Sequence, residues 1–597
     1  MFKAITMGRF FFLIFISYVV INFIILVGYK EIFGLLHFKP AGYSHYYFSN
    51  LLFILPYAII FLGIAGLFYL YASIAASFNK DTTTSLFYSS LVLSPVILLS
   101  LWRSAEGYSP FFIPLCVVLM ASLTFYFLLS RQKENLKINP DGEKLIIFIV
   151  AILYIAFFLI VAIKKYYSFS FFNSKDFAIY NQTFWNTVHG RIFHNSMYGS
   201  NFASHNSPFF FFLVPFYYIF PHPLTLIFLK IFLLTLAVIP FYLIAKETLH
   251  ESSPVWMTLA FLFFPFIVSL NILPPHEIAY APFFILFTYY FFLKNRFLPF
   301  LLFLLIMLSV KEHLALIAVM FGLLAYIRKK GPVWIWVPIA LGIFWALFSF
   351  WLIRHFQQIY SSHPDAAWLM VNLKKRFLNN DGNIFLSILG FLINSNLTSL
   401  YSLQWIVTFF LFLGIVPPFL SPVSLLALPE FSISLLSNNL AMFTIPWHYN
   451  VTVSCFLLIA TLEGIRKIAR WKWFKDRKIS INAATNLLCV LILCIALINS
   501  YLWLEFTQSF GNKEYVRIVT KAISCVPKDA FLTVPRHLAV QVSSREKYSI
   551  LDSKDSGNYI LLDKNNQGFM PRKELDKSYR RVFYEDGVEV LQKIDKD

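Results

Sequence analysis

Apolar stretches separated by short charged or Pro-containing breaks recur along nearly the whole chain until about residue 510. Runs near ~20 residues are long enough to cross a bilayer as helices. The pattern predicts spans near 9–28, 50–74, 85–101, 110–130, 145–163, 223–245, 255–273, 279–293, 297–310, 312–327, 333–353, 403–420, 422–436, 450–465 and 483–503. The expected fold class is therefore an all-α polytopic membrane protein of about 15 transmembrane helices, with a small C-terminal α/β domain. Two apolar segments, about 208–220 and 384–394, are too short to span and read as helices lying at the interface.

The breaks carry the orientation. With the N-terminus in the cytoplasm, the basic breaks at 131–144, Lys294–Arg296, Arg328–Lys330 and 466–478 all fall inside. The loops 164–222, 271–278, 354–402 and 437–449 then fall outside, as does the tail. The first apolar run follows Lys3 and Arg9 but lacks a small-residue cleavage site, so it reads as a retained helix. After Phe510 the pattern becomes mixed and polar. Tyr515–Cys525 is helix-like, and Thr533–Val534, Tyr548–Leu551 and Tyr559–Leu562 are strand-like runs between turn residues. The expected division is 1–143, a four-helix membrane module; 144–510, a transmembrane core with outer loop 164–222; and 511–597, an extracytoplasmic α/β domain.

Composition agrees with a membrane chain: 58% of the 597 residues are hydrophobic and 13% charged, against about 25% charged in soluble domains. The net charge of +19 sits largely in the inside loops, and no aromatic-interleaved basic patch points to nucleic acid. Cys116, Cys455, Cys489, Cys494 and Cys525 form neither a metal-type cluster nor a disulfide framework. No phosphate-binding G-x-x-x-x-G-K-[ST] loop, G-x-S-x-G elbow or H-E-x-x-H pair is present.

The unusual polar groups collect in the outside loops. Asp176 follows the fifth span, with Asn181, Gln182, Trp185, Asn186, His189 and His205 behind it. His276-Glu277 follows Pro274-Pro275, Lys311-Glu312-His313 ends a hairpin, His363 and Asp365 lie in the fourth outside loop, and His448-Tyr449 in the fifth. Each has a plain structural reading. Asp176 could be a solvated helix end, His276-Glu277 a helix cap, Lys311-Glu312 an internal ion pair and His448-Tyr449 an interface anchor. Together on one side they suit transfer from a lipid-phosphate donor. A cation such as Lys311, His276 or His448 holds the phosphate, and a carboxylate, Asp176, deprotonates an acceptor hydroxyl.

The stretch from Asp176-Phe177-Ala178-Ile179-Tyr180-Asn181-Gln182 to Val188-His189-Gly190-Arg191 resembles the opening signature of a membrane-protein family, domain of unknown function 2079. His205 with Ser207-Pro208, Pro215-Phe216-Tyr217, Pro275-His276-Glu277, Val310-Lys311-Glu312, Leu428-Pro429-Glu430, His448-Tyr449 and Asn558–Asp563 match in order. That family is in turn similar to the GT-C glycosyltransferases through the layout of its first outer loop. The resemblance implies a GT-C-like core, a polyprenyl-phosphate sugar donor, and a glycan, lipid or protein acceptor outside a bacterial-type inner membrane. Asp176 matches the catalytic acid, and Gln182, Trp185, His205, His276, Glu277, Lys311, Glu312, His448 and Tyr449 are the candidates for binding donor phosphate or substrate. Many GT-C enzymes carry a second acid beside the first. Here Lys175 stands there instead, so no cofactor is expected, and a divalent metal is left open rather than required. A flippase for a lipid-linked substrate and a non-catalytic scaffold for envelope assembly are the competing readings.

Overall fold

The computed structural model describes residues 140–171, 174–249, 253–360, 413, 416–436, 442, 447–476, 480–504, 512–551, 556–564 and 578–594. The expected spans at 9–28, 50–74, 85–101 and 110–130, the segment 384–394, most of 403–420, and His363 and Asp365 lie outside these residues. By its packing the chain divides into two units, 1–135 with 470–484, and 136–469 with 485–597. The second holds nearly all the described residues.

Among the described residues, three helical segments are long and apolar enough to cross a membrane: α1 (Pro140–Tyr167), Pro223–Thr248, and α11 (Pro332–Tyr360). A fourth arises if the bent pair Ser253–Leu262 and Pro265–Ile272 counts as one span. This corrects the expectation of about 15 transmembrane helices. The physical reason is length. Phe297–Val310 and Leu314–Ile327 have 14 residues each, about 21 Å at 1.5 Å per residue, short of a hydrocarbon core of roughly 30 Å. Hydropathy registers an apolar stretch whether or not its backbone ladder is continuous, and here prolines and polar dyads interrupt it.

The order after α1 is α2 (Lys175–Val188), α3 (Phe210–Ile219), α4 (Pro223–Leu236), α5 (Val238–Thr248), α6 (Ser253–Leu262), α7 (Pro265–Ile272), α8 (Ala281–Leu293), α9 (Phe297–Val310), α10 (Leu314–Ile327) and α11. Then come α12 (Leu428–Leu436), α13 (Val451–Ile468) and α14 (Ile481–Leu504). Pro265 sits at the first position of α7, where its missing N–H costs nothing, and the pair bends by 41° there. At the break the Leu262 carbonyl, without an in-helix partner, accepts from the Tyr154 hydroxyl of α1 at 2.9 Å.

Helix α11 exposes most of its apolar surface, with Trp336, Phe344, Leu347, Phe350 and Trp351 all outward, as a lipid-facing helix would. It approaches α10 closely at two glycines. A Cβ on Gly322 would lie 2.5 Å from the Ile335 carbonyl, and one on Gly342 would lie 2.5 Å from that of Ala315. Small residues at such crossings let membrane helices pack backbone to backbone.

The C-terminal part folds as α15 (Lys513–Ser524), β1 (Leu532–Val534), the short α16 (Ala539–Val542), β2 (Tyr548–Ile550), β3 (Tyr559–Asp563), β4 (Tyr579–Glu585) and β5 (Val588–Lys593). The three strand-like runs of the sequence are strands β1, β2 and β3. The sheet order is β2-β1-β3-β5-β4, parallel from β2 to β3 and antiparallel from β3 to β4. Asn512 caps α15 by accepting from the Glu514 N–H, and Ile518, Val519 and Ala522 bury its apolar face.

Candidate functional site

Four chain reversals bring their polar residues to one place. The first follows the 3-10 turn Asn201–Ala203 and carries His205. The second begins the 3-10 turn Glu277–Tyr280, after α7 has ended ahead of Pro274-Pro275, and carries His276 and Glu277. The third separates α9 from α10 and carries Lys311, Glu312 and His313. The fourth is the 3-10 turn His448–Asn450 leading into α13.

Their side chains form closely spaced contacts. His205 Nδ1 lies 2.9 Å from Glu312 Oε1, and Glu312 Oε2 accepts from the Asn206 N–H at 3.2 Å. Lys311 Nζ donates to Glu277 Oε2 at 3.4 Å, and His276 Nδ1 lies 2.8 Å from that same oxygen. The His276 ring stacks on His448, centres 3.4 Å apart and planes 15° from parallel. The His205 and His276 rings are 6.4 Å apart. His313 Nε2 reaches Glu430 Oε1 of α12 at 3.2 Å, tying a fifth element into the cluster.

Asp176 enters from α2. It sits in the first turn, the end where the helix dipole favours a carboxylate. One turn along the same face, the Tyr180 ring meets His276 edge-on at 5.6 Å. The Asp176 charge also acts on His276, Tyr449 and Tyr180. Asp176 itself is half-buried, and no hydrogen bond or ion pair to it is found among the described residues.

The electrostatics separate the charged from the neutral members. Burial opposes a charge on Glu277, but His276, Lys311 and His205 outweigh it and hold the carboxyl well below its usual range. Glu312 is likewise penalised by burial and held down to about 2 by His205, Lys311 and His313. Burial together with neighbouring His276 and Lys311 pushes His448 well below the ordinary imidazole value. Burial lowers His276 as well, with Lys311 adding to the effect against the pull of Glu277. His205 is the exception. Burial and Lys311 oppose its proton, yet Glu312 and Glu277 raise it overall.

Lys311 is 7% exposed. Its ammonium has three donors, and the long bond to Glu277 is its one hydrogen bond among the described residues. Glu277 Oε1, Asn206 Oδ1 and Ser207 Oγ are buried nearby without hydrogen-bond partners among those residues. Buried polar atoms are nearly always paired, so these atoms leave hydrogen-bonding capacity open at the cluster. Among the described residues, no three His, Cys, Asp or Glu side chains form a metal-holding group.

Of the residues singled out in the sequence, His205, His276, Glu277, Lys311, Glu312 and His448 meet directly. Tyr449 packs against His448, centres 4.2 Å apart. Two lie to the side. Trp185 stacks on His189 at 3.9 Å. Gln182 is fully buried, its Nε2 donating to the carbonyls of Arg545 and Glu546, its Oε1 accepting from the Ser196 N–H and hydroxyl. Sequence reasoning missed Lys230, which is fully buried in α4 and donates to the carbonyls of Leu270 at 2.7 Å and Leu273 at 2.6 Å. A single lysine in an apolar helix was the available signal.

The family model described as "Predicted membrane protein (DUF2079)" matches residues 165–588. The chain belongs to this family. All ten candidate residues, and the C-terminal sheet up to the start of β5, fall within the matched region. The protein is thus membrane-associated and carries apolar spans. No curated protein matches the chain. Among solved structures it is similar to ArnT from Cupriavidus metallidurans in the apo state, with TM-score 0.42 and 9% identity over 74% of this chain and 98% of that one.

Proposed function

We propose that this family member transfers a sugar from a polyprenyl-phosphate donor to a hydroxyl-bearing acceptor on the extracytoplasmic side, with Asp176 as general base. One observation carries the reading: a carboxylate with no partner among the described residues acts electrostatically on a buried cluster whose lysine and neighbouring polar atoms have unused hydrogen-bonding capacity among those residues. The resemblance of the first outer loop to that of GT-C enzymes supports it, with Asp176 at the matching position.

The chemistry assigns each group a task. Lys311 provides a fixed positive charge for the donor phosphate. His205, whose protonation Glu312 favours, supplies a second donor. Asp176 removes the acceptor proton as the acceptor oxygen bonds to the anomeric carbon. The bond from that carbon to the phosphate oxygen breaks, and its electron pair leaves with the lipid phosphate. The added negative charge is met by Lys311, already in place and costing no reorganisation. Glu277 holds Lys311 and His276 in position.

The test is profiling of glycolipids and glycoproteins in a deletion strain complemented with wild type or Asp176→Asn. Wild type restores a glycosylated species that the strain lacks. Asp176→Asn reaches the membrane at wild-type level and does not restore it. Full restoration by that variant removes Asp176 from the role of base.

A further inference from the structure

The outer loop and the C-terminal domain share one hydrogen-bonded seam, and it runs alongside Asp176. Ser174 Oγ, two residues before the acid, donates to the Arg536 carbonyl at 2.7 Å. Asn181 Nδ2 donates to the hydroxyls of Ser543 at 2.8 Å and Ser544 at 3.0 Å. Gln182 takes the next two carbonyls, Arg545 at 3.0 Å and Glu546 at 2.9 Å. Ser196 then closes the row, donating to the Tyr548 carbonyl at 2.6 Å and accepting its N–H at 3.3 Å. Strand β2 is an edge strand, and the Ser196 hydroxyl takes the place of a further strand at Tyr548.

The seam therefore fixes the Tyr548 backbone from both sides: β1 pairs with it through Leu532, and Ser196 holds its other edge. The side chain is 1% exposed, and its hydroxyl has no hydrogen-bond partner among the described residues. A buried hydroxyl without a partner is costly, and phenylalanine would fill the same space without that cost. The place of Tyr548 follows from the seam: Ser196 of the outer loop holds the Tyr548 backbone in the row of contacts that begins at Ser174, two residues before Asp176, and the Asp176 charge acts on Tyr548.

We propose that Tyr548 is a substrate-binding residue supplied by the C-terminal domain, its hydroxyl hydrogen-bonding the sugar of the polyprenyl-phosphate donor beside Asp176. The domain is then a wall of the site, not an appendage, and the side chains of Asn181 and Gln182 serve to seat it. The proposal rests on the transferase reading above, which supplies the ligand.

Purified full-length protein in lipid nanodiscs is tested for binding of a polyprenyl-phosphate-linked hexose and of the same polyprenyl phosphate without sugar. Tyr548→Phe should weaken binding of the sugar-linked lipid by about threefold to tenfold, the scale of one lost hydrogen bond. It should leave the bare lipid phosphate unaffected, with the melting temperature unchanged or higher. A lowered melting temperature shows that the hydroxyl serves the fold and overturns the proposal. So does wild-type affinity for the sugar-linked lipid, or an equal loss for both lipids. If wild type binds neither lipid, the donor reading fails and the proposed ligand of Tyr548 goes with it.

Discussion

His276 and His448 stack face to face, ring centres 3.4 Å apart, although 172 residues separate them in the chain. Two imidazolium rings cannot share that geometry, because like charges at this distance repel strongly in a buried site. The stack therefore holds at most one charged ring. It holds the fourth reversal against the second, and so fixes the position of His448 relative to Glu277 and Lys311.

The stack makes stability pH-dependent in a defined direction. His276 and His448 are both lowered from 6.5, as is His313, down to about 3. A lowered value in the fold gives stability that is present above the unfolded value and lost as pH falls below it. Glu277 and Glu312, lowered from 4.5, act in the same direction at lower pH. His205 is raised, so its contribution is present below 6.5 and lost as pH rises through its folded value. With three histidines against one, the melting temperature should fall between pH 7.5 and pH 5.5. In His448→Phe, which keeps an aromatic ring and removes one titrating group, the fall should be smaller. An equal fall in that variant shows that the stack does not contribute.

Lys311 and Glu277 form the other contact on which the site depends. Glu277 is fully buried and Lys311 nearly so. Removing one partner leaves a buried charge uncompensated, which costs roughly 3–5 kcal/mol, whereas replacing both can be close to neutral. Lys311→Met should therefore be markedly destabilised, and adding Glu277→Gln should recover much of the loss. A double-mutant cycle on melting or denaturant midpoints measures the coupling. Additive losses mean the pair is not coupled. On the proposed transferase reading, transfer activity should remain absent in the recovered double variant, because the donor phosphate would have lost its cation.

The members of the polar cluster were more legible in the sequence than the helices that build it. His276-Glu277, Lys311-Glu312 and His448-Tyr449 each interrupt an apolar run, and polar dyads at such breaks stand out. Their meeting could not be read, since it depends on reversals far apart in the chain. His313 and Glu430, 117 positions from one another, illustrate this. The strands at Thr533–Val534 and Tyr559–Leu562 were legible because turn residues bound short apolar runs. Tyr548 was legible as a strand residue, but nothing in its neighbourhood marks a hydroxyl left without a partner. The helix count failed for a different reason. Composition does not show where a backbone ladder breaks, and Pro265 and Pro274-Pro275 divide or end helices inside sequence that reads as continuous apolar span.

Lys230 supports that broken backbone, and its loss should be felt at His276. Its ammonium collects the carbonyls of Leu270 at 2.7 Å, Asn271 at 3.3 Å and Leu273 at 2.6 Å. These belong to the end of α7, where carbonyls lose their in-helix partners. Pro274 and Pro275 follow, and they cannot donate a backbone N–H. Lys230→Met keeps much of the side-chain length and removes the donors. Each carbonyl left unpaired should cost roughly 1–3 kcal/mol, so the variant should melt lower than wild type. His276 lies three residues beyond Leu273. Freeing the end of α7 should therefore loosen the His276–His448 stack and flatten the pH dependence of melting as His448→Phe does. A variant that melts lower but keeps the wild-type pH dependence would confine Lys230 to the helix end and disconnect it from the site.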